Sequence, residues 1–450
     1  MKMRIVLMIT LFCSFLFAQE TLDLDQCIQI ALENNSQLRL AETQVQLSET
    51  QVVTAKSSWL PAVDLSARTG KTIQGPRSLK ENVPVATDPE TGQVIYEQRQ
   101  INQQKTEWNQ YSLGLSLNQN LYDFGRTSNS IRSAKAIKKA DQHKLISQRN
   151  RVIADVKKAY YDLLKTYKVR DVYEEAVRAA RENMDYHESM MDLGLMSKAE
   201  IYQAKVNISN QRANLINSKN DIQFAKAALN NAMGRNPSTL IEIPQEDVAP
   251  VFPEYTFEKA VEIALENNEY LKALDLEVKA QEFGIRQAKA RYLPVLSGGA
   301  SYNRVNDEAS RVYSSDLGED YTISVGASFN LNIFNGLADK ADIQRQILNK
   351  EAALERLREE KRLLLADVKQ YFLQLKAFKD IIELNQINIE AYEENLKLQR
   401  EKRRVGSGTE LEVTQAQVEL VNAQEALIRA RYNTQIAEAQ LQAALGIIEK

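Results

Sequence analysis

Apolar residues between Arg126 and Leu193 return at three- and four-residue steps, through Ile131, Ala134, Ile137, Leu145, Val152, Val156 and Leu163. Neither Pro nor Gly interrupts them, and the spacing predicts a single helix. At ~1.5 Å per residue it would reach on the order of 100 Å. Leu337 to Val405 repeats the pattern. A short turn follows each long segment, GLMSKAE in one case and GSGTELE in the other. A return helix then runs to Gly234 or to Gly446. Two shorter amphipathic helices are predicted over Leu22–Trp59 and Phe257–Tyr292, with Asp23 and Thr256 as N-caps. Each contains a double Asn, where a residue in the left-handed conformation would bend the helix.

After Leu60-Pro61 and Leu293-Pro294 the period falls to two. Val63, Leu65 and Ala67 alternate with Asp64, Ser66 and Arg68; Tyr111, Leu113, Leu115 and Leu117 alternate with Ser112, Gly114, Ser116 and Asn118. The alternation returns in YTISVGASFNL, from Tyr321 to Leu331, and more weakly over Val295–Asn303. Stretches of about 9–11 residues with one apolar face suit tilted membrane strands. Aromatic residues gather at their ends: Trp59, Trp108, Tyr111, Tyr122 and Phe124, then Tyr292, Tyr302, Tyr321 and Phe334. Such an arrangement fits an interfacial girdle. Lys71–Glu107, with Pro76, Pro84 and Pro89, reads as a long outward loop, and Arg304–Asp320 as its shorter counterpart.

These elements occur twice. IALENN spans Ile30–Asn35 and Ile263–Asn268, and its offset places Trp59-Leu60-Pro61 on Tyr292-Leu293-Pro294. After one change of register, Leu121-Tyr122-Asp123 lies on Ile333-Phe334-Asn335, Gly194 on Gly406 and Met233-Gly234 on Leu445-Gly446. Colinear matches of this kind indicate tandem copies. The expected organisation is a leader over 1–18, a first repeat over 19–240, a Pro-rich linker over 241–253, a second repeat over 254–447 and an end at 448–450.

Composition narrows the function. The 450 residues carry 57 basic and 60 acidic side chains, a net charge of −3 that offers no basic surface for nucleic acid. Lys2, Arg4 and the apolar run Ile5–Phe17 read as a secretory signal ending near Ala18. Its removal leaves Cys27 as the single Cys, read as a small buried helix residue. His143 and His187, the two His of the chain, have no Cys or His companions at ligand spacing and read as solvated. GSGTE lacks the ending of a phosphate-binding loop. No metal, cofactor or catalytic residue is expected, and an enzyme is not. Two strands per copy give four per chain, whose two unpaired edges hydrocarbon does not tolerate. Two, three or four chains would supply eight, twelve or sixteen strands and close a barrel.

In their order and duplication, the signal peptide, the ALENN and LP repeats, the paired strands, the long helices and the Gly-containing tip turns resemble the TolC family of outer membrane efflux proteins over essentially the whole mature chain. The resemblance implies a mainly α fold with a membrane β-barrel part: a homotrimer, twelve strands in the outer membrane, and long coiled-coil-like hairpins forming a tunnel across the periplasm. It implies an exit duct for a tripartite efflux or type I secretion system. Substrates would pass passively, and the partners would be a periplasmic adaptor, an inner-membrane pump and outer membrane lipid. Glu412 matches an acidic position of the family's periplasmic entrance gate, and Gln415 stands where some members carry a second acid. Glu200 resembles an acid that latches the closed state, with Arg403 or Arg404 as partner. Arg403 itself stands where some members carry a latch tyrosine, and Gly408 where some carry a latch arginine. Gly194, Leu195, Met196 and Ser197, with Val405, Gly406, Ser407, Gly408 and Thr409, resemble tips that dock the adaptor. The residues by themselves leave a periplasmic adaptor or coiled-coil scaffold open. The exported substrate is not legible.

Overall fold

The computed structural model describes residues 21–193 and 197–448. The leader and the tip residues Gly194, Leu195 and Met196 lie outside these described residues. Two compact units divide the chain. One comprises Thr50–Lys135 and Ala280–Lys350; the other comprises residues through Glu49, Ala136–Lys279 and Glu351 onward.

In chain order the elements are α1 (Leu24–Asn34), α2 (Ser36–Ser57), β1 (Ala62–Gln74), β2 (Arg77–Thr87), β3 (Val94–Gln103), β4 (Thr106–Tyr122), α3 (Arg126–Asp192) and α4 (Lys198–Ala232). Then come α5 (Phe257–Asn267), α6 (Glu269–Lys289), β5 (Val295–Asn306), α7 (Ala309–Val312), β6 (Tyr321–Asn330), α8 (Ala338–Arg404) and α9 (Glu410–Leu445). The long helices α3 and α8 have 67 residues each. Asp23 and Thr256 accept from the backbone of Gln26 and Lys259 and cap α1 and α5 as expected.

The double Asn departs from expectation in its geometry. Asn35 and Asn268 are extended, at φ −66°, ψ 122° and φ −63°, ψ 113°, so neither is left-handed. Each interrupts its helix and caps two others. Asn35 Oδ1 accepts from Gln37 N, at 2.9 Å, to start α2, while its Nδ2 donates to Ala232 O, at 3.1 Å, to close α4. Asn268 does the same for α6 through Leu271 N and for α9 through Ala444 O, at 3.1 Å. The left-handed residues are the glycines opposite, Gly234 at φ +72° and Gly446 at φ +74°. Their missing side chains admit the backbone of Asn34 and Asn267.

Within the helical unit one core gathers Cys27, Ile28, Ala31, Val156, Leu163, Leu229 and Met233, and another gathers Ala260, Ala264, Val368, Leu375 and Leu441. Ile241 and Ile243 of the Pro-rich linker join the first, so this segment packs as well as breaking a helix. α3 and α9 bury residues around much of their circumference. α4 and α8 each bury one seam, the former Ile201, Ala204, Gln211, Ser218, Ile222 and Leu229, the latter Leu364, Val368, Leu375, Ile382 and Leu396.

The strand unit holds an antiparallel sheet in the order β1-β4-β5-β6. Sequence periodicity predicts four strands, and six are present among the described residues. The segment expected as an outward loop is largely a ribbon, β2 paired with β3 and turned at Asp88–Gly92. Its signal in sequence is the β-branched content of Val83, Val85, Val94, Ile95 and Ile101. Both faces are solvated, so burial imposes no alternation on the sequence. Pro84 sits at the ribbon's register shift, where a missing N–H is tolerated. Beyond Arg304 the shorter loop contains α7, whose Arg311 carbonyl accepts from the buried Arg304 guanidinium, as does Ser314 O at 3.1 Å.

Candidate functional site

In the strand unit the register aligns like with like. Val63, Leu117, Ala300 and Val325 form one rung and Leu65, Leu115, Tyr302 and Ile323 another; between them run Asp64, Ser116, Ser301 and Ser324. One face is therefore apolar and the other small and polar. The apolar face is uncovered, with Val325 at 80% exposure. No described helix is long and apolar enough to cross a membrane.

The predicted aromatics fall into two bands on this sheet. Trp59, Tyr122, Phe124, Tyr292 and Phe334 stand exposed where the strands meet the helices. Tyr122 and Phe124 make an edge contact at 4.7 Å. Towards the loop end Tyr302 stacks on Tyr321 at 5.7 Å, and Tyr111 meets Tyr313 edge-on at 6.3 Å. Trp108 lies three residues farther along β4, opposite Thr72, an odd spacing that puts it on the polar face and outside this band. Tyr313 escapes the sequence reading, since it lies in a loop without alternation; its hydroxyl donates to Arg68 O at 3.2 Å. From Tyr111 to Tyr122 is about 36 Å at ~3.3 Å per residue. With a strand tilt of ~45° this spans about 25 Å, the height of a membrane barrel's apolar band.

In the helical unit the residues singled out for gate and latch begin helices. Thr409 and Glu412 form a capping box at the start of α9, with Thr409 N donating to Glu412 Oε2 at 2.7 Å and Glu412 N to Thr409 Oγ1 at 3.3 Å. Ser197 and Glu200 form the same box at the start of α4. Glu412 is exposed, and the Thr409 N–H and hydroxyl hold its carboxyl below the usual range. Gln415 Nε2 donates to Glu419 at 3.1 Å. In the tip between α8 and α9, Gly406 is left-handed at φ +77°, and the N–H groups of Ser407 and Gly408 both donate to Lys402 O. Val405 projects into solvent.

The two arginines expected to partner Glu200 are engaged elsewhere in this chain. Arg404 Nε donates to Glu401 at 3.0 Å. Arg403 Nη1 donates to Glu410 Oε2 at 2.6 Å and to Asn183 Oδ1 at 2.5 Å, with its guanidinium over the Tyr186 ring at 4.9 Å. Glu410 also accepts from Asn183 Nδ2 and, at 3.2 Å, from Thr414 Oγ1. His187 Nε2 faces the same carboxylate at 2.9 Å. Sequence spacing predicts a solvated His here, yet His187 is 0% exposed and Glu410 is 3% exposed. Burial alone would raise the Glu410 carboxyl, but the bonds from His187, Arg403 and Asn183 outweigh it and bring the pKa down to about 2. His143 is also engaged, with Nδ1 2.5 Å from Glu269 Oε2. The only signal for the Glu410 cluster in sequence is the i, i+4 pair Asn183 and His187; its partners are more than 200 residues away, beyond any local pattern.

The sequence model of a family described as "Outer membrane efflux protein" matches residues 27–235 and again 260–447. The outer membrane efflux protein BepC of Brucella suis is 24% identical over 419 residues, covering 92% of this chain and 83% of that protein. The outer membrane protein TolC of Escherichia coli is 23% identical over 349 residues, covering 76% and 70%. Among solved structures, the outer membrane protein VceC of Vibrio cholerae superposes with a TM-score of 0.77 at 18% identity, covering 94% of this chain and 96% of that one.

Proposed function

Because the chain belongs to the outer membrane efflux protein family, and its place is accordingly the outer membrane, we propose that it is built from two tandem repeats and that three copies assemble into an exit duct. The carrying observation is that each unit has open margins of matching kind. In the strand unit β1 and β6 pair on one side only, and exposed backbone edges are excluded from hydrocarbon. Four strands from each of three copies close a barrel of twelve, with the apolar face to lipid and the aromatic bands at its two interfaces.

In the helical unit α8 carries a second, uncovered seam. Leu363, Ala366, Leu373, Ala377, Leu384, Ile387, Ala391 and Leu398 fall on one heptad register, with Gln370, Asp380 and Glu394 at its intervening positions, and all eight apolar residues are exposed. α4 offers a comparable stripe in Tyr202, Val206, Ala213, Ile216 and Phe224. Both stripes occupy the tip-ward part of their helices, which suits α4 of one copy lying antiparallel against α8 of the next. The product is a passive conduit, with energy supplied by a pump.

Three Glu412 carboxylates converge at its entrance and favour cations. The Glu200 latch reaches a neighbouring copy, because the arginines of its own chain are occupied. The tip around Val405–Thr409 docks a periplasmic adaptor hairpin. Purified protein in planar bilayers tests the reading. Steady conductance is expected, with cation preference reduced in Glu412→Gln, which keeps the capping box and removes the charge. Absence of conductance, together with release from membranes by carbonate, would instead identify a scaffold. Crosslinking from Ser407→Cys in cells is expected to capture an adaptor.

A further inference from the structure

The polar face of the strand unit carries very little charge. Ser116, Ser301 and Ser324 share a rung with Asp64, and Gly70, Gly114, Gly299 and Gly326 keep the surface around them low. Among the residues that β1, β4, β5 and β6 place on this face, Asp64 and Arg68 alone are charged, and both are exposed. They stand four residues apart on β1, about 13 Å at the usual strand rise, too far to pair with each other. Asp64 lies opposite Ser116, and Arg68 opposite Ser112. By the same alternation Lys71, Glu107 and Arg304 belong to the other, apolar face.

We propose that Asp64 and Arg68 determine how the barrel treats charged solutes: in the assembly they form two rings of opposite sign on the lumen wall, carboxylates nearer the helices and guanidiniums nearer the outer loops. The inference rests on the exit-duct reading, which turns the polar face inward. β1 is an edge strand, and the strand that would meet it from the next copy, β6, presents Thr322, Ser324, Gly326, Ser328 and Asn330 on this face. None of these can neutralise either charge, so both rings stay unpaired across the seam. Twelve strands tilted by ~45° enclose a barrel about 25 Å across between backbones. The Debye length of about 10 Å at 0.1 M salt is close to the radius of such a lumen, so each ring is felt at its centre. At 1 M salt the length falls to about 3 Å and the rings act only at the wall. A cation moving outward is drawn to the first ring and meets its barrier at the second, and an anion meets them in the reverse sense. The two rings offset each other, so the parent barrel discriminates weakly between signs and either single neutralisation uncovers the other ring.

The experiment introduces Ser112→Cys and Ser116→Cys in turn into the full-length chain carrying Cys27→Ala, reconstituted in vesicles. Rates of reaction with membrane-impermeant methanethiosulfonates of either charge are compared. At 0.1 M salt the thiol beside Arg68 should favour the anionic reagent and the thiol beside Asp64 the cationic one, each by about threefold. Both preferences should collapse at 1 M salt. Arg68→Gln should abolish the first and Asp64→Asn the second, while Lys71→Gln, on the opposite face, should leave both in place. Leu115→Cys, facing lipid, should react with neither reagent. Equal preferences at the two sites, indifference to Arg68→Gln and Asp64→Asn, or reaction at Leu115→Cys as fast as at Ser116→Cys would overturn the proposal. A second measurement needs no added thiol. In planar bilayers, with Glu412→Gln present so that the entrance charge does not mask the effect, Arg68→Gln should shift the cation-to-anion permeability ratio towards cations and Asp64→Asn towards anions. Conductance with unaltered ratios, or shifts of the same sign, would remove the rings and keep the exit duct, whereas absence of conductance would remove both.

Discussion

Asn35 Nδ2 donates to the carbonyl of Ala232 at 3.1 Å, joining positions 197 residues apart at the point where one helix restarts and another ends. The same side chain starts α2 through Gln37 N. Asn35→Ala is expected to cost about 1–3 kcal/mol, the loss of an N-cap and of a bond to a partly buried carbonyl. Asn35→Asp should be no better, although Asp is an equally good N-cap. It has no donor for Ala232 O and brings negative charge to the C-terminal end of α4. Denaturant unfolding followed by circular dichroism in detergent compares the two, and Asn268 should behave in parallel.

The glycines facing these asparagines differ from those in the tip. A Cβ on Gly234 would lie 2.7 Å from Asn34 O, and one on Gly446 would lie 2.6 Å from Asn267 O. Either change to Ala therefore meets backbone as well as a strained φ, and should cost about 1–3 kcal/mol. Gly406 is equally left-handed, but nothing lies within 4 Å of its Cβ position. Gly406→Ala should cost only the conformational term, about 1 kcal/mol. Thermal unfolding of the three variants should preserve that ranking.

Ile387 lies midway along the exposed heptad of α8. If that seam is covered by a neighbouring copy, Ile387→Asp buries an unpaired charge there, at a cost of several kcal/mol to assembly. Light scattering of the detergent-solubilised protein should show trimers replaced by smaller species, with helix content retained. Trimers of undiminished stability would place the seam away from the interface.

The Glu410 carboxyl, lowered to about 2 from the ordinary value of 4.5, fixes a pH dependence with a defined sign. A depressed folded-state pKa means that the native state holds the proton less readily than the unfolded chain. Its contribution is complete above pH ~5 and is lost as pH falls through about 4 towards 2. Glu410→Gln should flatten stability across that acid window and lower it at pH 7.

Much of the architecture is legible in the sequence because it is periodic. The three- and four-residue steps locate α3 and α8 to within one or two residues, and the two-residue period locates β1, β4 and β6. Asp23 and Thr256 are recognisable as caps because capping is a local hydrogen bond. The ribbon β2–β3 escapes, since two solvated faces leave no alternation to read. The double Asn marks a break in each helix, but its conformation is not the left-handed one that a bend suggests. A bend can be produced by a left-handed residue or by an extended residue whose side chain caps the next helix, and the carbonyls of Ala232 and Ala444 decide between them.

The candidate site divides in the same way. Aromatic residues at strand ends are visible as clusters, because their neighbours in sequence are also their neighbours on the sheet. Glu200 and Glu412 are visible as acids after a turn, and that position also makes them capping residues. The sequence by itself determined two long hairpins, two strand pairs, and a chain that cannot close its own sheet, because periodicity and edge satisfaction are properties of short segments. Only the tertiary structure decided which charges meet. Asn183, His187, Arg403 and Glu410 come from three helices, and their burial and pairing depend on how those helices pack. That packing took a histidine expected in solvent and enclosed it against a carboxylate.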